Sequence, residues 1–195
     1  MLIVPIKNDM LDEVLKSKDE LLMVLRSHQL VDGLLSDLIE EQLIEKHHLE
    51  LRRIPFAVRV ELAQAMGLLN VGDRGALIQF NTLRNRFAHE AATTITHKDS
   101  QDLYNGIGDR LRFAAGDVGR ALETPRTCVE TVAACLVLSL DITLERVREE
   151  KLWGTAVMQE ARAVVSRLPK VESSPVHDRI RARYEALKAE RCGDE

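Results

Sequence analysis

The stretch that decides the fold reads Leu77-Ile78-Gln79-Phe80-Asn81-Thr82-Leu83-Arg84-Asn85-Arg86-Phe87-Ala88-His89. Its apolar side chains Leu77, Phe80, Leu83 and Phe87 recur at spacings of three and four residues, which place them on one face of an α-helix. The same spacing continues along the chain, and only five Pro and ten Gly interrupt 195 residues. The sequence therefore predicts an all-α protein.

Composition indicates an ordinary globular protein, because 45% of the residues are hydrophobic and 30% are charged. A chain of 195 residues can form one core, or one core with a helical appendage. Cys128, Cys135 and Cys192 give an odd count without a Cys-x-x-Cys pair. This pattern argues against a disulfide framework and a zinc ribbon, so we expect reduced thiols.

Charge is distributed unevenly along the chain. Residues 1–51 carry 5 basic and 11 acidic residues, residues 52–126 carry 11 and 8, and residues 127–195 carry 11 and 12. The only net basic block therefore contains positions 77 to 89. This permits a phosphate-bearing partner, but the net charge of −4 is far from the strongly basic footprint of proteins that hold long nucleic acids by charge alone.

Apolar periodicity and capping residues predict the order of the helices. The first predicted helix runs from Ser17 to His47, with a kink or close contact at Gly33, and the second runs from Pro55 to about Gly67. The third runs from an Asp73 cap to His89, and the fourth runs from a Ser100 cap through Val118. The fifth begins at Pro125, and the sixth runs from Thr155 to Leu168 after an interruption at Trp153-Gly154. We expect residues 9–124 to form a four-helix core and residues 125–168 to add helices on that core or at a dimer interface. Residues 169–195 would form a linker and a C-terminal helix.

Two segments of the sequence argue against a membrane protein. The start Met1-Leu2-Ile3-Val4-Pro5 lacks the basic flank and long apolar core of a signal peptide. The apolar run from Cys128 to Leu140 is too short and too interrupted for a membrane span. We therefore expect a soluble, cytoplasmic protein.

The run from Arg84 to His89 resembles the Arg-x-x-x-x-His signature of HEPN proteins, many of which are metal-independent ribonucleases. The segment from Ile54 to Leu69 resembles the mannitol operon repressor family, a HEPN-like group that carries an Arg-Asn-x-Phe-Ala-His run at this distance. The resemblance extends from Lys18 to Leu122. It implies a HEPN-like antiparallel helical bundle with additional C-terminal helices, and a two-fold homodimer whose cleft contains the Arg and His of both chains. The sequence contains no Gly-rich phosphate loop and no nucleophile elbow, so we expect no cofactor.

Helix geometry also indicates that a site containing both Arg84 and His89 requires two chains. Five residues turn an ideal helix by about 500°, so Arg84 and His89 point roughly 140° apart and cannot meet at one small site within one straight helix. Isologous packing of two copies would bring the Arg of one chain near the His of the other.

Each motif residue has a predicted role in cleaving RNA without a metal. His89 would exchange protons near neutral pH, and Arg84 would stabilise the added charge on the phosphate. Asn85 would position the ribose or the His ring, and Arg86 would at most steer the RNA backbone. The product would carry a 2′,3′-cyclic phosphate. No His, Cys or Asp cluster at metal-ligand spacing occurs in the sequence, so we expect no metal.

Other interpretations remain open. Arg84 could bond the last carbonyls of a neighbouring helix and His89 could cap its own helix, and structural or surface roles are favoured for His28 and His97. The first hypothesis is a toxin or defence endoribonuclease with a cognate antitoxin. The second is a non-enzymatic transcriptional regulator or protein-interaction adaptor that resembles the mannitol operon repressor family and contacts a regulatory protein. The third is a helical interaction module.

Overall fold

The structure is a computed structural model that describes residues 8–45, 48–70, 72–89, 94–109, 112, 124–167, 179 and 182. The prediction of an all-α protein is confirmed, because these residues form helices and no strand. The helices are α1 (Asn8–Leu15), α2 (Glu20–Gln42), α3 (Phe56–Ala65), α4 (Asp73–His89), α5 (His97–Gly106) and α6 (Pro125–Arg167), with a short 3-10 turn at Leu51–Arg53.

Two compact units divide the chain, residues 1–150 and residues 151–195. In the first unit α2 packs against α1, α3 and α4, and α4 also packs against α3 and α5. The hydrophobic cluster at its centre extends along α6 to Val147. The predicted boundary between residues 124 and 125 therefore does not coincide with the division of the structure. Of the predicted C-terminal segment 169–195, only Arg179 and Ala182 are described, and both are helical.

The limits of α2 correct the predicted helix from Ser17 to His47. The carboxylate of Asp19 accepts a hydrogen bond from the backbone N–H of Leu22 at 3.2 Å, so the helix begins after this cap. It ends at Gln42, because Leu43 has extended backbone angles. A separate helix, α1, precedes it. His47 lies outside the described residues.

The start of α5 also differs from the prediction, because Thr96 and not Ser100 is the cap. The Thr96 hydroxyl accepts a hydrogen bond from the N–H of Asp99, and the Asp99 carboxylate accepts one from the N–H of Thr96. This reciprocal capping box satisfies two otherwise unpaired donors. Ser100 lies inside the helix and donates to the His97 carbonyl. The helix ends at Gly106, and the predicted extension to Val118 lies mostly outside the described residues.

The core face of α4 is the one that the sequence predicts, since Leu77, Phe80, Leu83 and Phe87 are all buried. Asp73 is the first residue of the helix and is also buried. Its carboxylate accepts a hydrogen bond from Ser139 Oγ at 3.2 Å, which ties the start of α4 to α6.

Glycine allows α4 and α5 to approach closely at one point, and this contact gives the first prediction. A Cβ atom at Gly75 would lie 2.5 Å from the Gly106 carbonyl oxygen. We expect Gly75→Ala to lower the free energy of unfolding by about 1 to 3 kcal/mol. Gly33→Ala is the matched control, because a Cβ at Gly33 would meet no atom within 4 Å. It should raise the free energy of unfolding by about 0.5 to 1 kcal/mol, as replacing an exposed helical glycine does.

Urea denaturation followed by circular dichroism measures both effects. Equal stabilisation by the two substitutions would show that α4 and α5 separate enough to accept a methyl group. The open space at Gly33 also means that the predicted close helix contact at this position is wrong.

The sixth helix is continuous from Pro125 to Arg167, so the predicted interruption at Trp153-Gly154 is wrong. Its first half is buried in the core of the chain itself, with Leu136 and Leu140 among the buried residues. By length and composition α6 could cross a membrane, with a mean hydropathy of 1.7 in its most apolar part, of which 61% is buried inside the protein. The helix of a soluble core meets the same criterion. The predicted shortness of this apolar run is therefore wrong, and the cytoplasmic location stays a prediction.

Candidate functional site

The predicted motif residues lie in the second half of α4, and two of them reach an open cleft of about 780 Å³. Arg84 and Asn85 line this cleft, which is bounded by α2, the Leu51–Arg53 turn, α3 and α4. The Arg84 guanidinium donates a hydrogen bond to Asn85 Oδ1 at 3.0 Å. Because Arg84 is half-buried and Asn85 is exposed, their polar groups stay available at the rim of the cleft.

His89 does not join them within one chain. It is the last residue of α4, it is exposed, and it is not among the residues that line the cleft. This placement agrees with the divergence that helix geometry requires for a separation of five residues. A site that contains both Arg84 and His89 would need a second copy of the chain, and that arrangement stays a prediction.

Arg86 is held within the fold. Its guanidinium pairs with the Asp99 carboxylate at 2.5 Å and donates to the Thr94 carbonyl at 3.1 Å. It also lies over the ring of Phe87, 4.9 Å from the centroid. Since Asp99 belongs to the capping box of α5, Arg86 links α4 to the start of that helix. Its predicted RNA contact would compete with this ion pair.

The cleft lining is strongly cationic, although the chain as a whole is acidic. It contains four guanidiniums and one carboxylate, from Arg26, Arg52, Arg59, Arg84 and Asp32. Among the described residues, no carboxylate pairs with Arg26, Arg52 or Arg84. The remaining polar lining is neutral and comes from His28, Gln29, Asn81 and Asn85. Such a surface attracts anions.

Arg59 is the structural member of the four arginines. Its side chain is only 7% exposed and pairs with Asp32 Oδ1 at 2.5 Å. It also donates to the Ile54 carbonyl at 3.1 Å and to the hydroxyl of Ser36. These contacts join α2, α3 and the residue that follows the Leu51–Arg53 turn, so they hold the two walls of the cleft together.

His28 also lies in the lining, and the sequence interpretation favoured a structural or surface role for it. Its ring centroid lies 4.7 Å from that of Phe56 and 5.9 Å from that of Phe80. Burial lowers the pKa of His28 to about 4, and the positive charges of Arg84 and Arg59 act in the same direction, whereas Asp32 and the Asn81 amide oppose them. The imidazole is therefore neutral at pH 7, and its buried Nε2 makes no hydrogen bond to any described residue.

The low pKa of His28 gives a prediction for stability. The pKa of His28 is 6.5 in the unfolded chain and about 4 in the folded chain. Between these two pH values the unfolded chain binds more protons than the folded chain, so the free energy of unfolding falls as the pH decreases. The expected loss is about 3 kcal/mol at pH 4 relative to neutral pH. Urea denaturation between pH 4 and 7.5 measures it, with His28→Phe as the control that keeps an aromatic ring. If the wild type and this variant lose stability in parallel, His28 is not the responsible group.

The cysteines add no reactive group to the cleft. Cys128 is buried and Cys135 is half-buried, both are free, and burial raises the pKa of both thiols. Cys192 lies outside the described residues. In the described part of the chain, no group of three or more His, Cys, Asp or Glu side chains could hold a metal ion.

Comparisons with protein-family models, curated proteins and solved structures found no match to this chain. The resemblance to HEPN proteins therefore depends on the run from Arg84 to His89, on the segment from Ile54 to Leu69, and on the helical fold class.

Proposed function

We propose that this protein is a HEPN-like RNA-binding protein that acts, as a homodimer, as a metal-independent endoribonuclease of the toxin or defence type. The observation that carries the proposal is the position of Arg84 and Asn85 on a cationic cleft, with His89 exposed at the end of the same helix. Packing of two α4 helices about a two-fold axis would complete the site from both chains.

The proposed reaction uses both copies of His89. One imidazole removes the proton of the 2′-hydroxyl, and the 2′-oxygen attacks the adjacent phosphorus. The bond from phosphorus to the 5′-oxygen breaks, and the second imidazole, in its protonated form, gives its proton to this leaving oxygen. Arg84 donates to the phosphate oxygens as their charge increases. The products are a 2′,3′-cyclic phosphate and a 5′-hydroxyl.

Incubation of the purified protein with total RNA in EDTA tests the proposal. We expect cleavage by the wild type, and a loss of roughly a hundredfold or more in Arg84→Ala and in His89→Ala. Arg53→Ala and His97→Ala are the controls, because both residues are exposed and neither lines the cleft. Light scattering on the same samples should give a dimer for all five proteins.

A second candidate is a non-enzymatic regulator that contacts a regulatory protein. The observation that favours it is the separation of Arg84 from His89 in the single chain, together with the commitment of Arg86 to Asp99. A monomer at micromolar concentration that leaves RNA intact would support this candidate. Lower melting temperatures of the Arg84 and His89 variants would then identify those residues as structural.

A further inference from the structure

The cleft between α2, α3 and α4 is complete within one chain. Every residue that lines it comes from the segments 22–32, 52–59 and 81–85, all of which belong to the first compact unit. Its volume of about 780 Å³ lies in the range of sites for small molecules. It needs neither His89 nor a second copy, so it can have a ligand of its own.

The charges of the lining indicate a phosphate group as part of that ligand. Arg59 is neutralised by Asp32, whereas Arg26, Arg52 and Arg84 have no carboxylate partner among the described residues. Guanidinium groups bind phosphate oxygens through paired hydrogen bonds. A phosphomonoester carries a charge of about −1.5 to −2 at pH 7, and a backbone phosphodiester carries a single charge. Three unpaired guanidiniums therefore match a terminal phosphate better than they match a phosphate within an RNA strand.

The neutral part of the lining indicates hydroxyl groups on the same ligand. The amides of Gln29, Asn81 and Asn85 can each donate and accept hydrogen bonds. The neutral imidazole of His28 lies among them, and its Nε2 has no hydrogen-bond partner among the described residues. A buried polar atom without a partner is costly, so a hydroxyl that reached it after a small side-chain movement would be favoured.

We infer that this cleft binds a small phosphomonoester that carries hydroxyl groups, of the size of a pentose phosphate or a nucleoside monophosphate. Arg26, Arg52 and Arg84 hold the phosphate, and His28, Gln29 and Asn81 face the hydroxyl groups. The site goes beyond the proposed ribonuclease because it requires no cleavage and no dimer. Since it shares Arg84 and Asn85 with the RNA site, a bound ligand would compete with RNA.

Titration calorimetry on the full chain tests the inference with four probes: ribose 5-phosphate, AMP, ribose and inorganic phosphate. We expect one ribose 5-phosphate and one AMP per chain, and no saturable heat with ribose. Inorganic phosphate should bind at least about tenfold more weakly than ribose 5-phosphate, because it lacks the hydroxyl contacts. Tighter binding of AMP than of ribose 5-phosphate would identify a nucleotide, and equal binding would identify a sugar phosphate.

Arg52 and Arg53 offer a matched pair of variants, because they are adjacent and exposed, and only Arg52 lines the cleft. Arg52→Gln should weaken binding of ribose 5-phosphate by about tenfold or more, and Arg53→Gln should leave it unchanged. Equal effects of the two substitutions would overturn the inference. So would binding of inorganic phosphate as tight as that of ribose 5-phosphate.

The ribonuclease proposal and the ligand-binding inference can be tested independently of each other. Binding that follows Arg52 without any RNA cleavage would support the ligand site and contradict the ribonuclease. Cleavage of RNA without saturable binding of ribose 5-phosphate or AMP would support the ribonuclease and contradict the ligand site.

Discussion

Leu136→Asp is expected to unfold the protein. Leu136 is 0% exposed at the centre of the hydrophobic cluster that α6 shares with α2 and α4. The substitution removes apolar burial and places an unpaired carboxylate there, at a combined cost of about 5 kcal/mol or more. Because small domains are stable by about 5 to 15 kcal/mol, a cost of this size removes most or all of the folded population.

Ile142→Asp is the control for this prediction, because Ile142 lies on the same helix and is 55% exposed. Far-UV circular dichroism during heating should show a cooperative transition close to that of the wild type for Ile142→Asp, and no such transition for Leu136→Asp. Retained stability of Leu136→Asp would mean that the first half of α6 lies on the surface.

The second large effect is expected for Arg59→Ala, which should lower the free energy of unfolding by about 4 kcal/mol. The substitution leaves the Asp32 carboxylate, the Ile54 carbonyl and the Ser36 hydroxyl without the donors that Arg59 supplies. Removal of one member of a buried ion pair costs about 3 to 5 kcal/mol, and Asp32 retains some access to water. The loss should also loosen the contact between the α2 and α3 walls of the cleft.

Arg74→Ala provides the comparison, because Arg74 forms an ion pair with Glu61 in which both side chains are about half exposed. Exposed ion pairs contribute little to stability because water and salt screen them, so this variant should unfold at nearly the urea concentration of the wild type. A similar loss in the two variants would show that Arg59 contributes only as an ordinary surface charge.

The sequence was sufficient for the core face of α4, because Leu77, Phe80, Leu83 and Phe87 repeat at one helical spacing. It was insufficient for the start of α5, where both Thr96 and Ser100 could cap a helix. The deciding signal was Asp99, three residues after Thr96, which completes the reciprocal capping box. The Trp153-Gly154 pair was misleading, since one glycine inside a helix costs only about 1 kcal/mol.

The cleft was missed because its polar residues come from distant segments. Ser27 and Gln29, the sequence neighbours of His28, give no indication of the Phe56 and Phe80 rings that surround it. One signal was available: His28 continues the buried stripe of Val24, Val31 and Leu35 at helical spacing. Arg59 likewise lies in the stripe with Phe56 and Ala63 in α3. A polar residue inside an apolar stripe needs a polar partner. Arg59 finds its partners Asp32 and Ser36 on α2, whereas the buried Nε2 of His28 makes no hydrogen bond to a described residue.

The continuity of α6 affects how the protein can be observed by fluorescence. Trp153 is the only tryptophan of the chain, and it lies in the second half of this helix with 73% of its surface exposed. An indole that is already in water in the native state changes its surroundings little when the protein unfolds. Its emission is therefore a local probe, sensitive to molecules that cover this part of α6. The intrinsic fluorescence of this protein should change when a molecule associates with the part of α6 around Trp153. It should change little during the unfolding that circular dichroism records.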